Sequence, residues 1–496
     1  MKAPDFPKDM EWINSHAPLR LEQLRGKVVL LDFWTYGCIN CMHIIPDLHA
    51  LERKFGSALV VVGVHSAKFK AEGESVNLRT VVRRLGITHP VLNDKDYQVW
   101  QSYGVRAWPT VVCIGPDGNI RAVRSGEGVF NGFAPLIQEL VDKATEDGSL
   151  DPKPLDLRSY MPMEEPSTLH FPGKVEPVGE QGLVISDTGN HRLVLTELYE
   201  GKPMARMREV IGGGEGGFAN GPFEQARFFS PQGCAATPDG RYLYVADTGN
   251  HSIRRIDLQE KSVETVAGTG SQSTVYPGVA GFGPETALSS PWDVCLVGDT
   301  LYIAMAGSHQ IWTLDLRTNH VSPWAGTGGE ALVDGPLQQS LLAQPSGLSH
   351  AEVLGRPYLF FADAEASAVR LVDLEAGEVR TLVGQGLFEF GDADGPMETA
   401  LLQHPLGVAF SFFDNLLYVA DTYNNKIKQV DPNSGVCMGF SGKGRGHIDG
   451  RHARYFEPGG LCVRGNTLYI ADTNNHAVRV LDLGTGIVDT LQLARS

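Results

Sequence analysis

Two cysteines separated by two residues, Cys38-Ile39-Asn40-Cys41, have the residue type and spacing needed to exchange electrons with a disulfide. The stretch ahead of them, Val28-Val29-Leu30-Leu31-Asp32-Phe33-Trp34, is a near-continuous apolar run that reads as a buried strand, and the residues from Cys41 to about Phe55 read as a helix. The pair therefore falls where a strand gives way to a helix N-terminus. Unpaired amides and the helix dipole stabilise a thiolate there, lowering a thiol pKa from about 8.5 to roughly 3.5–7.5 in such motifs. Cys38, at the start of the helix, is the expected attacking thiol and Cys41 the resolving one. A zinc site built on the same pair would need two further Cys or His ligands, and none is suitably spaced.

The elements that must hold this pair follow from hydrophobic patterning. Leu59-Val60-Val61-Val62-Gly63-Val64 reads as a second buried strand, and a helical stretch runs from about Glu74 to Leu85. Apolar strands separated by helices indicate a parallel-type sheet covered on both faces. Pro109-Thr110-Val111-Val112-Cys113-Ile114 and Ile120-Arg121-Ala122-Val123, joined by Pro116-Asp117-Gly118-Asn119, read as a hairpin. From about Glu146 to Glu165 the sequence turns polar and proline-rich. The expected organisation is an α/β domain over 1–150, a Pro-rich linker over 151–167 and a second domain over 168–496.

The second part repeats. Leu183-Val184-Ile185-Ser186-Asp187-Thr188-Gly189-Asn190-His191 returns at Leu243–His251, Leu417–Asn425 and Leu468–His476, with degenerate copies at Leu301–His309 and Leu359–Ser367. The equivalent positions 187, 247, 305, 363, 421 and 472 lie 51 to 60 residues apart. A proline precedes each copy (Pro172, Pro231, Pro291, Pro345, Pro405, Pro458), and further short apolar strands follow it. About four strands per repeat make a propeller blade, so six repeats predict a six-bladed β-propeller.

Within these repeats the Asp-Thr-x-Asn aspartates are expected to build turns, since Asp and Asn hydrogen-bond nearby backbone and tolerate positive φ. Met305 and Ala306 break the pattern, so the third-blade turn must be held another way. The histidines at 191, 251, 309 and 476 fall at one equivalent position and are expected as solvated turn residues.

The Asp32-Phe33-Trp34 lead into the cysteine motif resembles thioredoxin-like proteins, and Trp108-Pro109-Thr110 resembles their cis-proline segment. The resemblance implies that Asp32 is a buried proton-accepting acid and that Pro109 lies against the sulfurs and helps bind substrate disulfides. The added helix near 74–85 is similar to the TlpA and peroxiredoxin-related branch. A peroxiredoxin would, however, need a proline where Leu31 stands, although Thr35 fits its pattern. The Asp-Thr-x-Asn turns, with Asp334-Gly335, Asp394-Gly395 and Asp449-Gly450, resemble NHL repeats. Cys-Ile-Asn-Cys together with an NHL-type propeller resembles the NHL repeat-containing protein 2 family over essentially the whole chain. Two departures alter the redox potential: Gly37 stands where thioredoxins have Trp and that family's animal members a further cysteine, and Ile39-Asn40 replaces Gly-Pro.

Totals limit the remaining classes. Residues 1–150 carry 17 of the 42 basic and 17 of the 58 acidic side chains, so the whole excess of −16 falls on the second part. An acidic propeller repels phosphate backbones, which argues against a nucleic-acid reader. No 18-residue apolar run, no leader pattern and seven scattered cysteines point to a soluble cytoplasmic protein outside membranes, with no cofactor or metal expected. The expected function is a cytoplasmic thiol-disulfide oxidoreductase acting on a protein substrate, with a partner docked on a propeller rim. The alternative is a non-enzymatic propeller scaffold or redox sensor whose thioredoxin-like domain is not a catalyst.

Overall fold

A computed structural model describes residues 1–155 and 167–494. The chain divides into two compact units, Met1–Glu165 and Pro166–Ser496. Most of the stretch expected as a linker, residues 156–166, lies outside the described residues. Its first part packs on the first unit: the Lys27 ammonium donates to the carbonyls of Asp151 (2.8 Å) and Lys153 (2.5 Å), and Leu155 joins the core.

In the first unit the strands are β1 (Trp12–Ile13), β2 (Val28–Trp34), β3 (Leu59–His65), β4 (Val91–Asn93), β5 (Thr110–Ile114) and β6 (Ile120–Ser125). The helices are α1 (Ile39–Phe55), α2 (Ser75–Arg84), α3 (Gln98–Tyr103) and α4 (Val129–Glu146). The sheet order is β1-β4-β3-β2-β5-β6. Pairing is parallel for β2–β3–β4, but β5, β6 and β1 run antiparallel to their neighbours. The expected parallel-type sheet is therefore mixed, because the β5–β6 hairpin supplies one side of it. Alternate residues of the apolar run in β2 enter separate cores. Val28 and Leu30 meet Ile44, Leu48 and Leu51 of α1 and Phe133 and Ile137 of α4, while Val29, Leu31 and Phe33 meet Leu21, Leu24 and Val99 on the other face. Burial on both faces is why the strand is apolar at nearly every position.

The second unit is a six-bladed β-propeller of four- and five-stranded sheets. Its innermost strands, Lys174–Val178, Cys234–Ala236, Pro291–Val297, Pro345–Val353, Gly407–Ser411 and Pro458–Arg464, each touch the next, and the last returns to the first. The terminal segment Gln492–Ala494 leaves the sixth blade and pairs in parallel with Met204–Arg206, in an outer strand of the first blade, which fastens the ring.

The repeated histidines fasten the ring as well, and here the expectation of solvated turn residues is corrected. Each occupies a left-handed position at the end of its turn, and its Nδ1 accepts a backbone N–H from the following blade. His191 takes Ser230 (3.0 Å), His251 takes Ser290 (3.0 Å), His309 takes Gln344 (3.1 Å) and His476 takes Phe171 of the first blade (3.1 Å). Asn425 and Ser367 accept the same bond with side-chain oxygens. The position demands positive φ and a short-range acceptor, which His, Asn and Ser can supply.

The repeated aspartates build the turns and also hold buried ion pairs. Asp247 Oδ1 accepts the Phe229 amide (2.8 Å), while Oδ2 accepts from Asn250 (2.8 Å) and from the fully buried Arg254 (2.7 Å). The pattern recurs at Asp363–Arg370 and Asp472–Arg479, and Asp421 faces Lys428. Burial pushes Asp247 up to about 6 despite Arg254 beside it. In the third blade Met305 and Trp312 replace the pair, and the Met305 thioether accepts the Ser289 amide (3.4 Å) in place of a carboxylate. Removing one partner of a buried pair strands the other charge, whereas an apolar replacement of both can be neutral. Arg254→Met is therefore expected to destabilise the chain by about 3–5 kcal/mol. The double change Asp247→Met, Arg254→Trp, copying the third blade, should recover much of that loss in denaturant unfolding. A double variant as unstable as the single one would contradict this account of the pairs.

Candidate redox site

The Cys-x-x-Cys pair lies at the end of β2. Cys38 is the N-cap residue of α1, with extended backbone (φ −79°, ψ 115°), and α1 begins at Ile39. Its carbonyl accepts the amides of Cys41 (3.1 Å) and Met42 (3.3 Å), closing the first turn and placing Cys41 inside the helix. Cys38 is half-buried and Cys41 fully buried. Burial pushes the Cys41 thiol well above the ordinary range. Its hydrogen bond and charge interaction with Cys38 and the Asp32 carboxyl add to the rise, against the Thr35 amide, which favours the thiolate.

Asp32 is in the middle of the sheet, paired with Gly63 of β3 and Val111 of β5. It is 2% exposed, its Oδ1 has no hydrogen-bond partner among the described residues, and burial pushes it up to about 8. A carboxyl so placed is largely protonated at neutral pH and interacts electrostatically with Cys41. The Trp108–Pro109 peptide is cis, and Pro109 is buried immediately before Thr110, which pairs with Phe33 next to Asp32. The four residues singled out in the sequence thus converge on one end of the sheet.

One contributor had no signal in the sequence. Glu72, fully buried in a short turn of helix at Lys70–Gly73, accepts from Thr35 Oγ1 (2.5 Å), from the Gly37 amide (2.8 Å) and from the Lys68 and Phe69 amides (2.8 and 3.0 Å). It ties the loop ahead of Cys38 to the segment ahead of α2. No local pattern marks its role at the redox loop, because its contacts there, to Thr35 and Gly37, span 37 and 35 residues. Beneath that loop Tyr36 stacks on His65 (5.5 Å between ring centres), which Trp34 meets edge-on at 5.0 Å. Burial pushes His65 down to about 3, so this ring is neutral and serves as packing.

Such a site can attack a disulfide through its partly exposed sulfur and resolve the adduct through its buried one. The thioredoxin-like family model matches residues 26–120, and the NHL repeat model matches 457–481. NHL repeat-containing protein 2 of Homo sapiens is 41% identical over 532 residues, covering 100% of this chain and 72% of that protein. Protein SUPPRESSOR OF QUENCHING 1, chloroplastic, of Arabidopsis thaliana is 40% identical over 97% of this chain and 47% of its own length. Thiol-disulfide oxidoreductase ResA of Geobacillus thermodenitrificans is 32% identical over 128 residues, 25% of this chain and 67% of that protein. Identity sustained across both units, from the redox motif to the last blade, means that the chain belongs to the NHL repeat-containing protein 2 family.

Proposed function

We propose that the chain is a thiol-disulfide oxidoreductase of the cytoplasm that acts on a protein disulfide, with its propeller docking the protein partner. The observation that carries this reading is the unequal pair: a half-buried Cys38 at a helix N-terminus and a buried Cys41 whose thiol burial pushes up, near a carboxyl raised to about 8. In the reductive direction the Cys38 thiolate attacks one sulfur of the partner disulfide, forming a mixed disulfide and releasing the other partner sulfur as a thiolate. Asp32 in its carboxylate form takes the Cys41 proton, and the Cys41 sulfur attacks Cys38 Sγ. The partner leaves as a dithiol, and a disulfide between Cys38 and Cys41 remains, to be reduced by an external thiol donor. Pro109, buried at the same end of the sheet, borders the place where the substrate strand would lie.

Support for a reducing compartment comes from the remaining five cysteines, which are all free thiols, four of them buried. No helix among the described residues is long and apolar enough to cross a membrane. Support for docking comes from exposed apolar side chains on a propeller loop, Val275, Tyr276 and Val279, which suit a protein surface. A Cys41→Ser chain expressed in its own cells tests the reading, because it can attack and cannot resolve. Mixed disulfides through Cys38, identified by mass spectrometry and absent from Cys38→Ser, are the expected outcome. Adducts equally abundant in both variants would contradict it.

A further inference from the structure

We propose that His49, Glu52 and His89 form a divalent-cation site, best fitted to zinc, within the thioredoxin-like unit and separate from the cysteine pair. His49 and Glu52 are three residues apart on α1, so they project from one face of that helix. His89 reaches the same place from the turn between α2 and β4. The candidate ligand atoms of the three residues all lie within 4.8 Å of one another.

Two imidazole nitrogens there are buried with no hydrogen-bond partner among the described residues, His49 Nε2 and His89 Nδ1. The His89 side chain is 2% exposed, and its Nδ1 is 3.5 Å from Glu52 Oε1. Its ring is held in place from behind. Gly63 of β3 has no side chain, and a Cβ there would sit 3.0 Å from Trp34 Nε1 and 3.6 Å from His89 Nε2. The distance to His89 is an ordinary van der Waals contact, so the ring lies against β3 at Gly63.

A buried polar atom without a partner costs about 1–3 kcal/mol. Two such nitrogens gathered around one carboxylate are accounted for together by a cation that takes a lone pair from each. Zinc accepts His nitrogen and carboxylate oxygen at about 2.0–2.2 Å in a tetrahedron, which sets ligand atoms about 3.3 Å apart. The His89–Glu52 separation is already close to that. His49 and Glu52 are both partly exposed, and the His49 ligand atom lies within 4.8 Å of the other two. Three protein ligands leave a fourth position for water. Bound there, the ion would pin the middle of α1, the helix that Cys38 caps, to the strand region around β4.

The test uses the full chain, stripped with a chelator and titrated with zinc chloride by calorimetry, with cobalt(II) as an optical probe of coordination. Because the dithiol itself can bind zinc, both measurements are made in a Cys38→Ser, Cys41→Ser background. One equivalent of zinc at about micromolar affinity or tighter is expected, with the visible bands of four-coordinate cobalt. His49→Gln and Glu52→Gln in that background should each weaken zinc binding by about 100-fold or more. His49 is partly exposed, so His49→Gln should keep the fold, which circular dichroism checks. No zinc uptake in the cysteine-free background, or uptake unchanged by both substitutions, would overturn the proposal. Insulin reduction by the wild-type chain reports separately on the redox reading.

Discussion

Alkylation at pH 6 is expected to label Cys38 at least about 100-fold faster than Cys41 in the reduced, folded chain. The thiolate is the species that reacts, and each unit by which a thiol pKa exceeds the pH cuts its thiolate fraction about tenfold. Cys41 is fully buried, and burial, its contact with Cys38 and the nearby Asp32 carboxyl all push its thiol up. Cys38 is the N-cap residue of α1 and partly exposed, at the positive end of the helix dipole. Peptide mapping after a timed iodoacetamide pulse reads both rates in one sample. Comparable rates would mean that the two sulfurs do not divide the work of attack and resolution.

Replacing Asp32 with Asn is expected to stabilise the chain increasingly as pH rises. The sign follows from proton binding. Burial raises the Asp32 pKa from 3.8 to about 8, so between those values the folded state keeps a proton that the unfolded state has released. Stability therefore falls with rising pH across that window, by up to about 1.4 kcal/mol per pH unit from this group. Asn does not titrate, and any fixed cost of its buried amide is the same at every pH. The gap between variant and wild type should widen steadily from pH 4 to pH 8, reaching about 10 °C in melting temperature for the first unit. The same variant should slow resolution of the mixed disulfide by about 100-fold or more, because the proton acceptor for Cys41 is gone. Parallel stability curves would show that Asp32 titrates as an ordinary carboxylate, and unchanged turnover would remove it from the chemistry.

The sequence carried the architecture because its signals are local. The β2 run, the helix after Cys41 and the repeated turns each declare themselves within about ten residues. Long-range pairing decides the features that no local pattern carries. The histidines look like surface turn residues until the next blade is seen to donate an amide to each Nδ1. Met305 looks like a defect until its thioether is found on the Ser289 amide with Trp312 in the arginine position. The apolar runs of β2 and β3, which are parallel, imply a parallel-type sheet, and nothing in the β5–β6 hairpin says which way it joins them. In the site, Asp32, Cys38, Cys41 and Pro109 are each marked by adjacent motif residues, whereas Glu72 acts across more than thirty residues with no motif of its own. Closure of the ring through Gln492–Ala494 was equally illegible, since three terminal residues hold no periodicity that names their partner.

The central claim is that Cys38 performs disulfide exchange, and reduction of insulin by the purified full chain with a thiol donor tests it most directly. The account predicts turnover well above the donor alone, abolished in Cys38→Ser while that variant keeps the wild-type fold. Insulin reduction no faster than the donor alone, or equal in wild type and Cys38→Ser, would contradict it.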